Sequence, residues 1–292
     1  MPPTWPISLL KGKCLFYDLP SLGLRELRSL LSLKRRLKKL EQGYKVRIRN
    51  HLIAQYFPEM DAYFDYSEGP AIVKWCLDPE KLGDLPFEAF ATMASRRNGG
   101  APQARRLGEI HAKAAVSIGC AVNAAVPFEA STLLEGMQQI RLMLHEVDKR
   151  IANVCRRFPE YPFLLSIPGF GPGVSSQVLG ALGDPYRFEN HRQVLKMAGL
   201  DLSASQSGKR TATTPVISKR GKAGLRFSLY HAAVVASSRS PHFMRYFTER
   251  LKGREKEKGI TTKMRTKLAA KLLVIAWTLM KKEEVFDPGC IK

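Results

Sequence analysis

Gln206-Ser207-Gly208-Lys209-Arg210 places a hydroxyl just before a pair of cations. Such a group could attack a phosphodiester, with Lys209 and Arg210 holding the phosphate and offsetting the charge that develops on it. On residue chemistry alone a Ser-Gly in a polar stretch is a turn, and no histidine or lysine base is fixed beside it by sequence. A second candidate lies upstream, in Ile167-Pro168-Gly169-Phe170-Gly171-Pro172-Gly173. Pro168 ends an apolar turn, and Gly169, Gly171 and Gly173 let the backbone take positive φ and come close to a ligand. Val174, Val178, Leu179 and Leu182 then resume at helical spacing. A helix N-terminus behind such a hairpin offers unpaired N–H groups and the positive end of a dipole, which suits a phosphate. The three glycines read equally well as a tight loop packed between helices. The residues that follow favour a polyanion. No acidic residue occurs between Asp201 and Glu249, whereas Lys209, Arg210, Lys219, Arg220, Lys222, Arg226, Arg239 and Arg245 are all basic.

The whole chain points the same way. Its 292 residues carry a net charge of +21, too one-sided and too clustered for an ordinary enzyme acting on small molecules. Nucleic acid is the expected partner, DNA foremost and structured RNA with it, and an anionic membrane surface is the weaker alternative. The most apolar stretch, Leu268 to Met280, is too short to span a bilayer and contains Lys271. The opening Met-Pro-Pro-Thr-Trp-Pro has no basic region followed by an apolar one, so no export signal is expected. Cys14, Cys76, Cys120, Cys155 and Cys290 are odd in number and never form a C-x-x-C pair, which fits free thiols in a reducing cytoplasm. The histidines show no metal-ligand spacing, and no metal is expected to be held by this chain alone.

The elements that must position these groups are mainly α. Residues 1–19 show no sustained period. From Pro20, Leu30, Leu33, Leu37, Leu40, Tyr44 and Ile48 mark one apolar helix face, with Arg35, Arg36, Lys38, Lys39, Lys45, Arg47 and Arg49 on the rest, as a solvated face or a nucleic-acid contact. That helix should end near Phe57-Pro58. Ala71 to Leu77, Phe87 to Ser95 and Ala104 to Ala125 read as further helices. Leu133, Met137, Ile140, Leu144, Val147, Ile151, Val154 and Phe158 alternate spacings of four and three, a coiled-coil seam whose partner is the basic helix or a second copy of itself. Residues 20–158 thus form a helical linker, and 159–292 a second helical domain. In the latter, Asp201 to Pro215 reads as an exposed loop, no strand is expected, and Lys263, Lys267 and Lys271 line a solvated face of the last helix.

Six short motifs occur in one order: Ile-Pro-Gly-Phe-Gly (167–171), Gly-Asp-Pro-Tyr-Arg-Phe (183–188), Ala-Gly-Leu (198–200), Gln-Ser-Gly (206–208), Ile-Ser-Lys-Arg-Gly (217–221) and Leu-Arg (225–226). The series resembles the C-terminal domain of the DEDD transposases of insertion sequence 110 and its relatives, over roughly Phe163 to Pro288. The long helices before it resemble that family's coiled-coil linker. The resemblance implies a DNA transposase or recombinase that can be guided by a structured RNA. It implies a helix–hairpin–helix-like motif and a composite site, in which an N-terminal RuvC-like domain holds Mg²⁺ on acidic residues and this domain offers a serine, here Ser207. The expected DNA-binding residues are Gly169, Gly171, Gly173, Lys209, Arg210, Lys219, Arg220, Lys222 and Arg226. The acidic set is absent, with Asp18 the sole acidic residue before Pro20. The expectation is therefore a truncated or frameshifted copy, inactive alone, with Mg²⁺ bound only when the acidic domain is present and with self-association through the coiled coil. The alternatives are a non-catalytic helix–hairpin–helix nucleic-acid-binding protein and a purely structural coiled-coil protein.

Overall fold

In the computed structural model, which describes residues 20–96, 99–203, 206–207, 210–211 and 216–290, the leucine-rich segment becomes helix α1 (Leu22–Arg47). It continues through a π-helical turn at Ile48–Ile53 and a short piece at Ala54–Tyr56, and stops where Phe57 is extended before Pro58. The chain folds as two compact units, Ser32–Lys149 and the combination of residues up to Leu31 with Arg150–Lys292.

The Ser32–Lys149 unit contains α2 (Gly69–Trp75), α3 (Pro79–Gly83), α4 (Phe87–Ala94), α5 (Gly100–Ala114) and most of α6 (Val126–Cys155). Its core is built on Phe57, Met60, Ile72, Leu82, Phe90 and Ile110. Within it α1 and α6 run antiparallel. Lys34 pairs with Asp148 at 2.6 Å and Arg141 with Glu41 at 2.9 Å, and Gly136 lies against the Tyr44 ring. Met137, Leu144 and Val147 of the predicted seam are buried in the chain itself. Leu40, expected on the apolar face of α1, is 53% exposed, because Glu41 and Tyr44 take the side that meets α6. The helix expected to reach Ala125 ends at Ala114. Beyond it Gly119 packs on the Tyr56 carbonyl and the Cys120 N–H donates to Gln55 O at 2.9 Å, so the segment is tied down as non-helical chain.

The other unit holds α7 (Glu160–Leu165), α8 (Pro172–Leu182), α9 (His191–Ala198), α10 (Ala223–Arg239), α11 (Pro241–Leu251) and α12 (Ile260–Lys282). Leu268, Leu272, Leu273 and Ala276 of α12, with Leu229, Ala232 and Ala233 of α10, make its centre. The small residues of α10 let its neighbours approach closely. The stretch expected to be strandless contains two short antiparallel ladders. β1 (Leu202–Ser203) pairs with β4 (Val216–Ile217), and β2 (Gln206–Ser207) with β3 (Arg210–Thr211). Two residues separate β2 from β3, the shortest common hairpin spacing, and the outer strand is β-branched. The ladders are too short to register as a hydrophobic alternation. The mainly α class stands.

Candidate nucleic-acid interface

The glycine hairpin joins α7 to α8, and its three glycines do different things. Gly169 has φ +89°, and a Cβ there would meet Ala232 O at 2.5 Å and Ala236 at 3.1 Å. Its freedom serves the packing of the hairpin on α10, the tight-loop reading. Gly171 is extended, with φ −88° and ψ 178°, and nothing lies within 4 Å of the position its Cβ would take. Gly173 sits in the first turn of α8 and is equally open. The expectation that all three glycines take positive φ is thus corrected, since only Gly169 does. Gly171 caps α8 without a side-chain bond, and the helical ladder starts with Ser175 N donating to Gly171 O at 3.0 Å. The N–H groups of Gly173 and Val174 precede that ladder at an exposed helix N-terminus. That end of the hairpin is open to solvent. On the other side, the Phe286 N–H donates to Ser166 Oγ at 2.8 Å, holding the C-terminal segment on the hairpin.

The Ala-Gly-Leu and Ser-Lys-Arg-Gly motifs form one structural joint. Gly199 ends α9 in the left-handed conformation, and its carbonyl accepts from Lys219 N at 3.1 Å. Gly221 lies directly on the Met197 carbonyl, where no Cβ would fit. Ser218 Oγ donates to Asp201 Oδ1 at 2.5 Å and the Ser218 N–H to Asp201 O at 2.8 Å. This clasp closes the base of the β1–β4 ladder. Beyond it, Ser207 stands opposite Arg210 in the β2–β3 register. Lys209 lies outside the described residues.

The basic residues divide. Arg226 Nη1 donates to Ala198 O at 2.9 Å, at the C-terminus of α9. Lys222 Nζ donates to Ala181 O at 3.0 Å and Arg28 Nε to Gly180 O at 2.8 Å, both at the C-terminus of α8. Cations there satisfy orphan carbonyls and complement the negative end of the helix dipole. Burial, with Arg28 and Arg187 nearby, lowers the Lys222 ammonium below its ordinary pKa. Lys222 and Arg226, expected as DNA contacts, are thus anchored to the protein's own backbone. The side chains of Lys219 and Arg220 are exposed, with no partner among the described residues. Arg28 was missed by sequence reasoning, and no local signal marks it, because its acceptor lies 152 residues away. The Asp201–Ser218 clasp was legible only as two polar residues flanking a loop.

Asp184 and Asp201 are the carboxylates that could approach the serine. Asp184 caps a short 3-10 turn by accepting from Tyr186 N at 2.8 Å, and Asp201 is held by Ser218. Among the described residues no three His, Cys, Asp or Glu side chains gather as a metal site would require. Asp184 and Asp201, each engaged within the fold, are not gathered as a pair for Mg²⁺ among the described residues. The Gly-Asp-Pro-Tyr-Arg-Phe motif instead docks on α12, through Trp277 Nε1 to Pro185 O and Tyr186 Oη to Lys281 O, each at 2.8 Å. Among the described residues no helix is long and apolar enough to cross a membrane.

Residues 161–248, which contain the hairpin, the joint and the β-ladders, match the model of the transposase IS116/IS110/IS902 family. The chain is 32% identical over 149 residues to the pilin gene-inverting protein of Moraxella bovis, covering 49% of this chain and 44% of that protein. It is 30% identical over 149 residues to the pilin gene-inverting protein of Moraxella lacunata, with the same coverage of 49% and 44%. The chain thus spans less than half the length of these curated relatives.

Proposed function

We propose that this chain, whose residues 161–248 carry the domain of the transposase IS116/IS110/IS902 family, serves DNA transposition or recombination by gripping DNA phosphates and offering Ser207 as a nucleophile. The observation that supports the reading best is the coincidence of three features in one matched segment. They are the exposed N-terminus of α8, the β2–β3 hairpin with Ser207 opposite Arg210 in register, and the exposed cations Lys219 and Arg220 beside the Asp201–Ser218 clasp. Lys209 and Arg210 extend that field, and Gly171 and Gly173 leave the backbone open to a phosphate. Structured RNA would find the same field, and a guide RNA belongs to the reading.

In the chemical step Ser207 Oγ bonds to phosphorus while one sugar oxygen leaves. The serine gives up its proton, and the departing oxygen takes one up to become a hydroxyl. Asp184 and Asp201 each have one carboxylate oxygen engaged within the fold and no acidic set gathers among the described residues, so the carboxylates that hold Mg²⁺ would come from an acidic domain supplied in trans or by fusion. Those engaged carboxylates are also what favours the second reading, a non-catalytic nucleic-acid-binding protein. Both readings require phosphate contacts, so the first experiment is fluorescence anisotropy with duplex DNA across ionic strength. Each neutralised phosphate steepens the log–log salt slope by about 0.9. Binding that ignores salt between low and physiological ionic strength would contradict both.

A further inference from the structure

A cavity of about 180 Å³ opens between α11 and α12, lined by Tyr246, Phe247, Arg250, Met264 and Lys267. No carboxylate is among these residues. Two further cations stand against its aromatic residues. Lys271 Nζ lies 4.1 Å from the Tyr246 ring centroid, and the Arg265 guanidinium 5.8 Å from that of Phe247. Arg250 shares the Tyr246 ring at 5.4 Å. Lys271 is half-buried, which corrects the expectation that it lies with Lys263 on one solvated face. Burial, with the charge of Arg250, lowers its pKa.

Arg250, Lys267 and Arg265 beside the Tyr246 and Phe247 rings repel one another, and the ring faces offset only part of that cost. Arg265 Nε, beside the Phe247 ring, is buried without a hydrogen-bond partner among the described residues. Two acids close in sequence are committed elsewhere. Glu257 holds Arg254 through two bonds of 2.7 Å, and Glu255 accepts from Gly253 N at 3.1 Å. α12 has no acidic residue, and the one acid on α11, Glu249, is exposed.

We infer that this cleft binds a phosphate group, with Arg250 and Lys267 as its charged donors and the Tyr246 and Phe247 rings as walls for the adjoining sugar or base. Its volume is below the roughly 300–1,000 Å³ of ordinary ligand sites, so it takes one phosphate and its immediate attachment, not a whole cofactor. Three of its five lining residues lie beyond residue 248, where the family match ends. The site does not depend on Ser207 being a nucleophile.

The Met264 methyl group is a built-in local probe. With ¹³C-methyl methionine, and the resonance assigned by Met264→Leu, inorganic phosphate at constant ionic strength should shift the Met264 signal saturably. Arg250→Gln combined with Lys267→Gln should weaken that response at least about tenfold, since each removes a charge-assisted donor. Lys196→Gln, an exposed charge on α9, should leave it unchanged. A second arm titrates a short 5′-phosphorylated oligonucleotide. A tighter Met264 response than to inorganic phosphate identifies a nucleic-acid phosphate, and a response to inorganic phosphate alone identifies a free anion. No saturable shift with either ligand, or an unchanged shift in the double variant, overturns the site.

Discussion

Gly169→Ala and Gly171→Ala alter residues two apart in one hairpin, and opposite outcomes are expected. At Gly169 the backbone has φ +89°, and the new methyl would stand 2.5 Å from Ala232 O. The left-handed conformation costs a non-glycine residue about 1–2 kcal/mol, and forcing a carbon into a filled contact about 1–3 kcal/mol more. The total, about 2–5 kcal/mol, is a large share of the roughly 5–15 kcal/mol that holds a typical protein folded. At about 2–4 °C per kcal/mol, the melting temperature should fall by about 4–20 °C. At Gly171 the backbone is extended and the space is open, so alanine fits and only the N-cap preference is lost, about 1 kcal/mol at most. What Gly171→Ala should change is the approach of a phosphate to the start of α8, read as weaker DNA binding with a melting temperature lower by about 4 °C at most. Circular dichroism melting and DNA anisotropy on the two variants separate these effects. A Gly169→Ala protein as stable as the parent would refute the packing argument, and a Gly171→Ala protein that is equally destabilised would refute the division of roles.

Arg226→Ala should cost about 1–3 kcal/mol in urea unfolding, because the Ala198 carbonyl loses its partner, while the DNA salt slope holds. Lys219→Gln with Arg220→Gln should do the reverse, leaving stability within about 0.5 kcal/mol and making the slope shallower by about 2. Glu68, fully buried, would have its carboxyl pKa raised by burial. Its hydrogen bonds from Arg106, its own backbone, Ser67 and Gln103 outweigh that and hold it at about 2, against an ordinary 4.5. Its contribution is complete above the ordinary value and drains away as pH falls toward 2, by at most about 3 kcal/mol. Urea unfolding followed at Trp75, with Trp5 and Trp277 replaced by Phe, should show that loss, and Glu68→Gln should flatten it. Asp201→Ala should open the clasp, and amide exchange at Leu202 and Ile217 should accelerate about tenfold with the helices unaffected.

The long helices α1, α6 and α12 were legible because their apolar residues recur at helical spacing over several turns. α11 starts at Pro241 and α12 directly after Gly259, places where proline and glycine punctuate the sequence. The β-ladders were not legible, since strands of two residues leave no alternation to count. The glycines were legible as special, but not for what. Gly169 and Gly171 read identically in sequence, and only the presence of α10 beneath one of them tells a packing glycine from an open one. Basic residues misled in the same way. A run without acids reads as one field, yet Lys222 and Arg226 turn inward to helix carbonyls far along the chain while Lys219 and Arg220 stay outside. Composition records the charge and cannot record which carbonyl needs it. The cation-lined cleft went unread for a related reason, because Lys267 and Lys271 look like a solvated stripe until Tyr246 is seen to cover one of them.

The measurement that bears most directly on the central claim is denaturing electrophoresis of this chain with a nicked suicide DNA substrate and an acidic RuvC-like domain supplied in trans or by fusion. A covalent protein–DNA adduct is expected, lost in Ser207→Ala and kept in Ser203→Ala and Ser205→Ala, and no adduct is expected from this chain with Mg²⁺ and DNA alone. An adduct that persists in Ser207→Ala, or none under any complementation, would rule out Ser207 as the nucleophile.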